Sequence, residues 1–257
     1  MSPYEYADFV AITATNDAYI LRECLMKSPD IETGRLRVIT IENASSMARA
    51  YNEAISKLTN RVCLLVHQDV YLPSGWLDRA LESLNYLEEV DPAWKIAGPY
   101  GVEKSGTHVG RVWDVTLGRE LGAKNFKPTA IHSLDELLII YRNDGPPVFD
   151  DALPDFHLYG TDVVQIALAH GRSSYAVELP VVHNNRPIAS LSGGYSRAYK
   201  FMADKWRKTL PINTAICQLS LNPLPLWRAR WRRRHVKARP ERLLADAVAI
   251  AKLAGYE

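Results

Sequence analysis

The stretch RVCLLVHQDVYLPSGW, residues 61–76, runs from an unbroken apolar segment straight into His67, Gln68 and Asp69. A short continuous apolar run closed by polar residues is the pattern of a strand covered on both faces. The spacing predicts a strand over 62–66 whose end delivers an imidazole and a carboxylate to one sheet edge. Pro73-Ser74 then open a predicted helix over 73–89 that carries Trp76, Leu77, Ala80, Leu81 and Leu84.

Upstream, the same alternation occurs twice more. Residues 8–14 (DFVAITA) read as a strand, and the polar turn Thr15-Asn16-Asp17 opens a helix with Ile20, Leu21, Cys24 and Leu25 as its stripe, ended by Pro29. Residues 36–41 (LRVITI) read as a second strand, followed by the turn 42–46 and a helix with Met47, Ala50, Tyr51, Ala54, Ile55 and Leu58 at helical spacing. Strands alternating with helices at this length predict βαβ units, a mostly parallel sheet and right-handed connections. Ligands collect at the carboxyl ends of such strands, where all three polar turns lie.

Downstream, a fourth strand is expected at 94–98, short strands and loops over 99–133, and a strand at 134–141 (LDELLIIY). A Pro- and acid-rich loop over 146–160 leads to a helix opened by Thr161-Asp162 and closed by Gly171. A strand over 175–182 then delivers His183. Beyond about residue 190 come a Gly-rich turn, a helix over 195–208, a basic stretch and a last amphipathic helix stopped by Gly255. No internal repeat and no Gly-rich phosphate loop is present.

With 257 residues, 47% apolar and 23% charged, the chain can bury a sizeable core. Its longest apolar runs fall far short of the roughly 20 residues of a membrane-spanning helix. The start, MSPYEYADFV, has no basic region of the kind that opens a secretory signal, so a cytoplasmic location is expected. Three widely spaced cysteines, Cys24, Cys63 and Cys217, argue against a disulfide framework or a cysteine-ligated zinc site. Residues 227–242 (WRARWRRRHVKARPER) carry a net charge of +7, which against a total of +2 leaves −5 on the rest of the chain. That segment is a candidate for peripheral contact with the inner face of a membrane. Its charges surround the helical wheel, however, which favours a solvated helix, an oligomer contact or nucleic-acid binding.

His67, Asp69 and His183 come from the ends of two different strands. Together they offer a donor set that suits a divalent cation such as Mn²⁺ or Mg²⁺, with imidazole tolerated best by Mn²⁺. As bare residues, Asp162 reads equally as an N-cap and Asn43 as a turn former.

The order of the motifs TATND, IENASSMARAYNEAI, LLVHQDVYLPSGWL, FDDALPDFHLYGTDVVQIALAHG and VVHNN resembles a GT-A glycosyltransferase of the family 2 type. The likeness is to the small branch named after a streptomycin-biosynthesis protein, and it spans about residues 8–190. It implies an α/β, Rossmann-like GT-A domain over 1–190, with a mostly parallel central sheet flanked by helices, and a helical, basic C-terminal extension over 191–257. Residue by residue, it makes Asp69 the last aspartate of the metal motif, with His67 standing where many relatives have the first, there to touch the ribose of the nucleotide sugar, to reach the metal through water or only to shape the loop. His183 becomes a candidate second metal ligand. Asn16, Glu42 and Asn43 face the nucleotide sugar, and Asp162 is the acceptor-side catalytic base, with Thr161 in place of the usual Glu.

The activity implied is transfer of a sugar, with inversion, from a nucleotide diphosphate donor to a hydroxyl of a saccharide, a lipid-linked glycan or a small molecule. The rival expectations are a non-catalytic module binding nucleic acid or a partner through its basic tail, and a nucleotidyltransferase. The sequence leaves the oligomeric state open.

Overall fold

Alternation along β1 (Phe9–Thr15) decides the layering. Val10 and Ile12 enter one core cluster, and Phe9 and Ala11 enter another on the opposite face. β2 (Val38–Glu42) and β3 (Val62–Val66) flank β1 in parallel register. The remaining strands, all short, are β4 (Val70–Tyr71), β5 (Trp94–Gly98), β6 (Tyr100–Val102), β7 (His108–Gly110), β8 (Val112–Asp114), β9 (Arg119–Leu121), β10 (Thr129–Ala130), β11 (Ser133–Leu134), β12 (Leu138–Arg142), β13 (Ser173–Ala176) and β14 (Val181–His183). This computed structural model describes residues 3–122, 127–146, 148–185, 191–233 and 244–257.

The main sheet has the order β10-β13-β5-β12-β3-β1-β2. Its strands β2, β1, β3, β5 and β13 point one way, while β12 and the edge strand β10 run against them. The class is therefore α/β with a mostly parallel central sheet. Smaller sheets, β4-β14-β8-β9 and β11-β6-β7, adjoin it.

Helices cover both faces. α1 (Ala18–Glu23) and α2 (Pro29–Glu32) precede β2, and α3 (Met47–Ile55) follows it. α4 (Trp76–Val90) lays Trp76, Leu77, Ala80, Leu84 and Leu87 onto one face. On the other face, α3 packs with α5 (Tyr159–Ala169) and α6 (Gly194–Lys205). Each fully buried large apolar side chain contributes roughly 1.5–3 kcal/mol. The segment beyond 191 joins this core: Tyr195, Ala198 and Met202 of α6 sit in the same cluster as Val163 and Val164 of α5, and Ala229 of α7 (Leu224–Arg233) reaches it too. α8 (Ala247–Leu253) packs Ala247 and Ala251 against Tyr71 and Val182.

Three expectations change in detail. Pro29 opens a helix at its first position instead of ending one, where its missing N–H costs nothing. The run 134–141 is not one strand: β11 ends at Leu134, β12 begins at Leu138, and Asp135 and Glu136 occupy the connection. The run 175–182 divides between β13 in the main sheet and β14 in a small one, with Pro180, which has no N–H for a ladder, in the break. Of the basic stretch 227–242, residues 227–233 form the end of α7, with Trp227 and Trp231 exposed, and 234–242 lie outside the described residues. No helix among the described residues is long and apolar enough to cross a membrane.

Candidate functional site

β3 ends at Val66, and the chain turns through His67, Gln68 and Asp69 before β4. The turn is held by the N–H of His67 on the Leu137 carbonyl (2.9 Å) and the N–H of Val70 on the His67 carbonyl (3.2 Å). β14 pairs antiparallel with β4 so that His183 stands opposite Val70. Asn184 donates its N–H to the Asp69 carbonyl at 2.8 Å. This register sets His183 beside Asp69, with Nε2 3.5 Å from Oδ1. One ligand atom each from His67, Asp69 and His183 lies within 4.8 Å of the others.

The ionised Asp69 carboxylate and the neutral His67 ring suit a cation, whereas His183 must give up its proton to ligate one. Burial opposes ionisation of Asp69, but the charge and hydrogen bond of His183, together with His67, outweigh it and pull the carboxyl down to about 2. Burial lowers His67 below its usual value, so this ring is neutral near pH 7. His183 is raised, because attraction to Asp69 exceeds the cost of its own burial. His67 Nε2 lies 2.7 Å from the Tyr159 hydroxyl, which in turn donates to the Glu136 carbonyl at 3.2 Å. In the tautomer in which Nε2–H of His67 donates to the Tyr159 oxygen, the lone pair on Nδ1 is free for a cation. A carboxylate and two imidazoles, one of them oriented by an outer hydrogen bond, form a donor set that fits a divalent transition cation.

These residues line an open cleft of about 1100 Å³ at the carboxyl end of β3. Asn16, from the turn after β1, lines it as well. Gln68 joins that turn to the metal motif: its Oε1 accepts from Thr15 Oγ1 (2.7 Å) and from the N–H groups of Asn16 (3.2 Å) and Asp17 (3.3 Å), and its Nε2 donates to Asn16 Oδ1 (2.6 Å). Asp17 caps α1 through the N–H groups of Tyr19 and Ile20.

Not every expected residue meets this cleft. Glu42 and Asn43 are exposed, Asn43 in the left-handed region (φ 56°), and neither is part of the cleft wall. Asp162 faces the core instead. It is 0% exposed, Oδ1 accepts from Trp206 Nε1 at 2.7 Å, and Oδ2 accepts from Lys205 Nζ at 2.9 Å. Asp162 is the fourth residue beyond Leu158, the α5 cap, and turns toward α6, where two donors occupy both oxygens.

The cleft also contains groups without a sequence-derived role. Asp135 and Glu136 enter from the β11–β12 connection, His157 from the loop before α5, Arg119 from β9 and Arg233 from the end of α7. The acids could have been noticed as two charges breaking an otherwise apolar run. Arg233 belongs to the basic stretch 227–242, but no local pattern ties that stretch to the cleft.

Residues 10–86 match the model of a family described as "Glycosyltransferase like family". Among curated proteins, "ATP synthase subunits region ORF 6" of Fuscovulum blasticum is 27% identical over 176 residues, 65% of this chain and 68% of that protein. Among solved structures, a mannosyltransferase from Pyrobaculum calidifontis in complex with GDP-Man and Mn²⁺ gives a TM-score of 0.46 at 12% identity, over 79% of this chain and 64% of that one. S. aureus TarS gives 0.49 at 17% identity, over 80% and 40%. The chain thus spans less than two thirds of either solved protein.

Proposed function

We propose that this chain, glycosyltransferase-like in its residues 10–86, moves a sugar from a nucleoside diphosphate donor to a hydroxyl acceptor, with inversion and with a divalent cation held by Asp69 and His183. The convergence of these two side chains from separate segments, at the carboxyl end of a strand inside the matched region, carries the reading. His67 completes the donor set through Nδ1. When bound, a divalent cation there supplies positive charge beside the departing diphosphate.

The chain's own residues account for the rest. Asn16 and the turn that Gln68 braces offer polar groups to the nucleotide, in keeping with the expected role of Asn16. Arg233 and Arg119 place guanidinium charge on the cleft wall, where they favour a phosphate-bearing ligand. Inversion requires a base on the face away from the leaving group, because the acceptor oxygen must lose its proton as it attacks.

Thermal unfolding with UDP, GDP, dTDP and CDP, each with Mn²⁺ and with EDTA, tests the reading. A shift with one nucleotide that depends on the metal is expected. No shift with any of the four under either condition contradicts it.

A further inference from the structure

We infer that Glu136 is the general base that accepts the proton of the attacking hydroxyl. The inference rests on the sugar-transfer reading above and supplies the group left unassigned once Asp162 is found in the core.

Glu136 is partly exposed and lines the same cleft as His67, Asp69 and His183. Its side chain lies against the first turn of α5, whose Leu158, Tyr159 and Gly160 N–H groups favour its charged form. Its own carbonyl receives the Tyr159 hydroxyl that orients His67, so the proposed base and the metal site share one rigid connection. Gly160 provides the space: a Cβ there would lie 3.1 Å from Glu136 Cγ and 2.7 Å from the Leu134 carbonyl oxygen.

Other carboxylates of the cleft are engaged elsewhere. Asp17 caps α1, Asp114 holds the N–H of Leu117 and the side chain of Asn185, and Glu120 is paired with Arg111. Asp135 accepts the N–H of Leu137 and reinforces its neighbour. Burial, and next the charge of Asp135, raise Glu136 well above the ordinary carboxyl range, against the pull of the three N–H groups. A carboxylate of raised basicity accepts a proton more readily in the transition state.

The step balances. The acceptor O–H proton passes to Glu136, the acceptor oxygen forms the new bond to the anomeric carbon, and the anomeric carbon–oxygen bond to the diphosphate breaks, its electron pair leaving with the nucleoside diphosphate. Proton release from Glu136 to solvent restores the carboxylate.

Glu136→Gln keeps the size of the side chain and an oxygen for the α5 N–H groups while removing basicity. The experiment compares wild type, Glu136→Gln, Glu136→Asp and Asp135→Asn. It measures Mn²⁺-dependent nucleoside diphosphate affinity by calorimetry, and nucleotide release from a panel of UDP-, GDP-, dTDP- and CDP-sugars across pH. The expected result is that Glu136→Gln binds the nucleotide like wild type but releases it at least about 100-fold more slowly. The acid limb of the rate profile disappears in that variant, and Glu136→Asp recovers part of the rate. Turnover of Glu136→Gln near the wild-type rate with the acid limb intact, or a loss confined to Asp135→Asn, overturns the inference and leaves the sugar-transfer reading standing. Absence of metal-dependent nucleotide binding in wild type overturns that reading, and the inference with it.

Discussion

The indole N–H of Trp206 donates to Oδ1 of Asp162 at 2.7 Å, across the seam between α5 and the residue that caps α6. Lys205 Nζ reaches the same carboxylate and also Asp150 at 2.7 Å, so one cation on α6 ties down two acids from the segment around α5. Lys205 is only partly exposed and Asp162 is buried, which makes the cluster a structural joint between the expected domain and its extension.

Asp162→Ala removes the acceptor of two donors and leaves Lys205 and Trp206 without their shared partner. A loss of about 2–3 kcal/mol is expected, read from the urea midpoint. Asp162→Asn, which can still accept from Trp206, should lose less. In both, metal-dependent nucleotide binding at temperatures where the protein is folded should be retained. A variant as stable as wild type but unable to transfer sugar would restore Asp162 to the chemistry.

His67 provides a second test, because nitrogen in place of oxygen changes which cations bind well. His67→Asp converts a donor set of two imidazoles and one carboxylate into one of two carboxylates and one imidazole. The preference for Mn²⁺ over Mg²⁺ should then fall, on the order of tenfold or more. Titration of each ion in the presence of the bound nucleotide measures it. An unchanged ratio would mean that His67 only shapes the turn.

Gln68→Ala detaches the turn after β1 from the metal motif. Four hydrogen bonds at this partly exposed site are lost, two of them to the exposed Asn16, which water can re-solvate, so the stability cost should be modest, about 1 kcal/mol. The larger effect is expected on nucleotide affinity, because the polar groups of the turn lose their fixed direction. Calorimetry showing full affinity in this variant would detach Asn16 from the donor site.

Gly160→Ala forces a Cβ toward a backbone carbonyl that cannot move as a side chain can. A destabilisation of about 1–3 kcal/mol is expected. The melting temperature checks it, and a variant that melts with wild type would show that α5 shifts freely at its start.

Much of this was legible in the sequence for a physical reason. β3 and β5 match the expected 62–66 and 94–98 because strands covered on both faces are continuous apolar runs, and turns at their ends are unmistakably polar. The pairing of Asp69 with His183 was legible as a pattern of strand ends, although its register needed the β4–β14 ladder. Trp76 and Trp94 are fully buried, and Cys63 lies within a strand of the same core. The burial of Asp162 was not legible, because an acid in the first turn of a helix looks the same whether it faces a cleft or a core. What decides is the position of Lys205 and Trp206, more than 40 residues away, and no local pattern contains it. Glu136 was hidden for the converse reason: placed at the head of an apolar run, it was absorbed into a strand that in fact starts two residues later.

The most direct measurement is diffraction from crystals grown with Mn²⁺ and the nucleoside diphosphate that gives the thermal shift, recorded at the manganese absorption edge. The account predicts an anomalous peak bonded to the Asp69 carboxylate and the His183 imidazole, with the diphosphate on its open side and the Glu136 carboxylate across the cleft. Manganese found elsewhere, or nucleotide bound with no metal between Asp69 and His183, would contradict it.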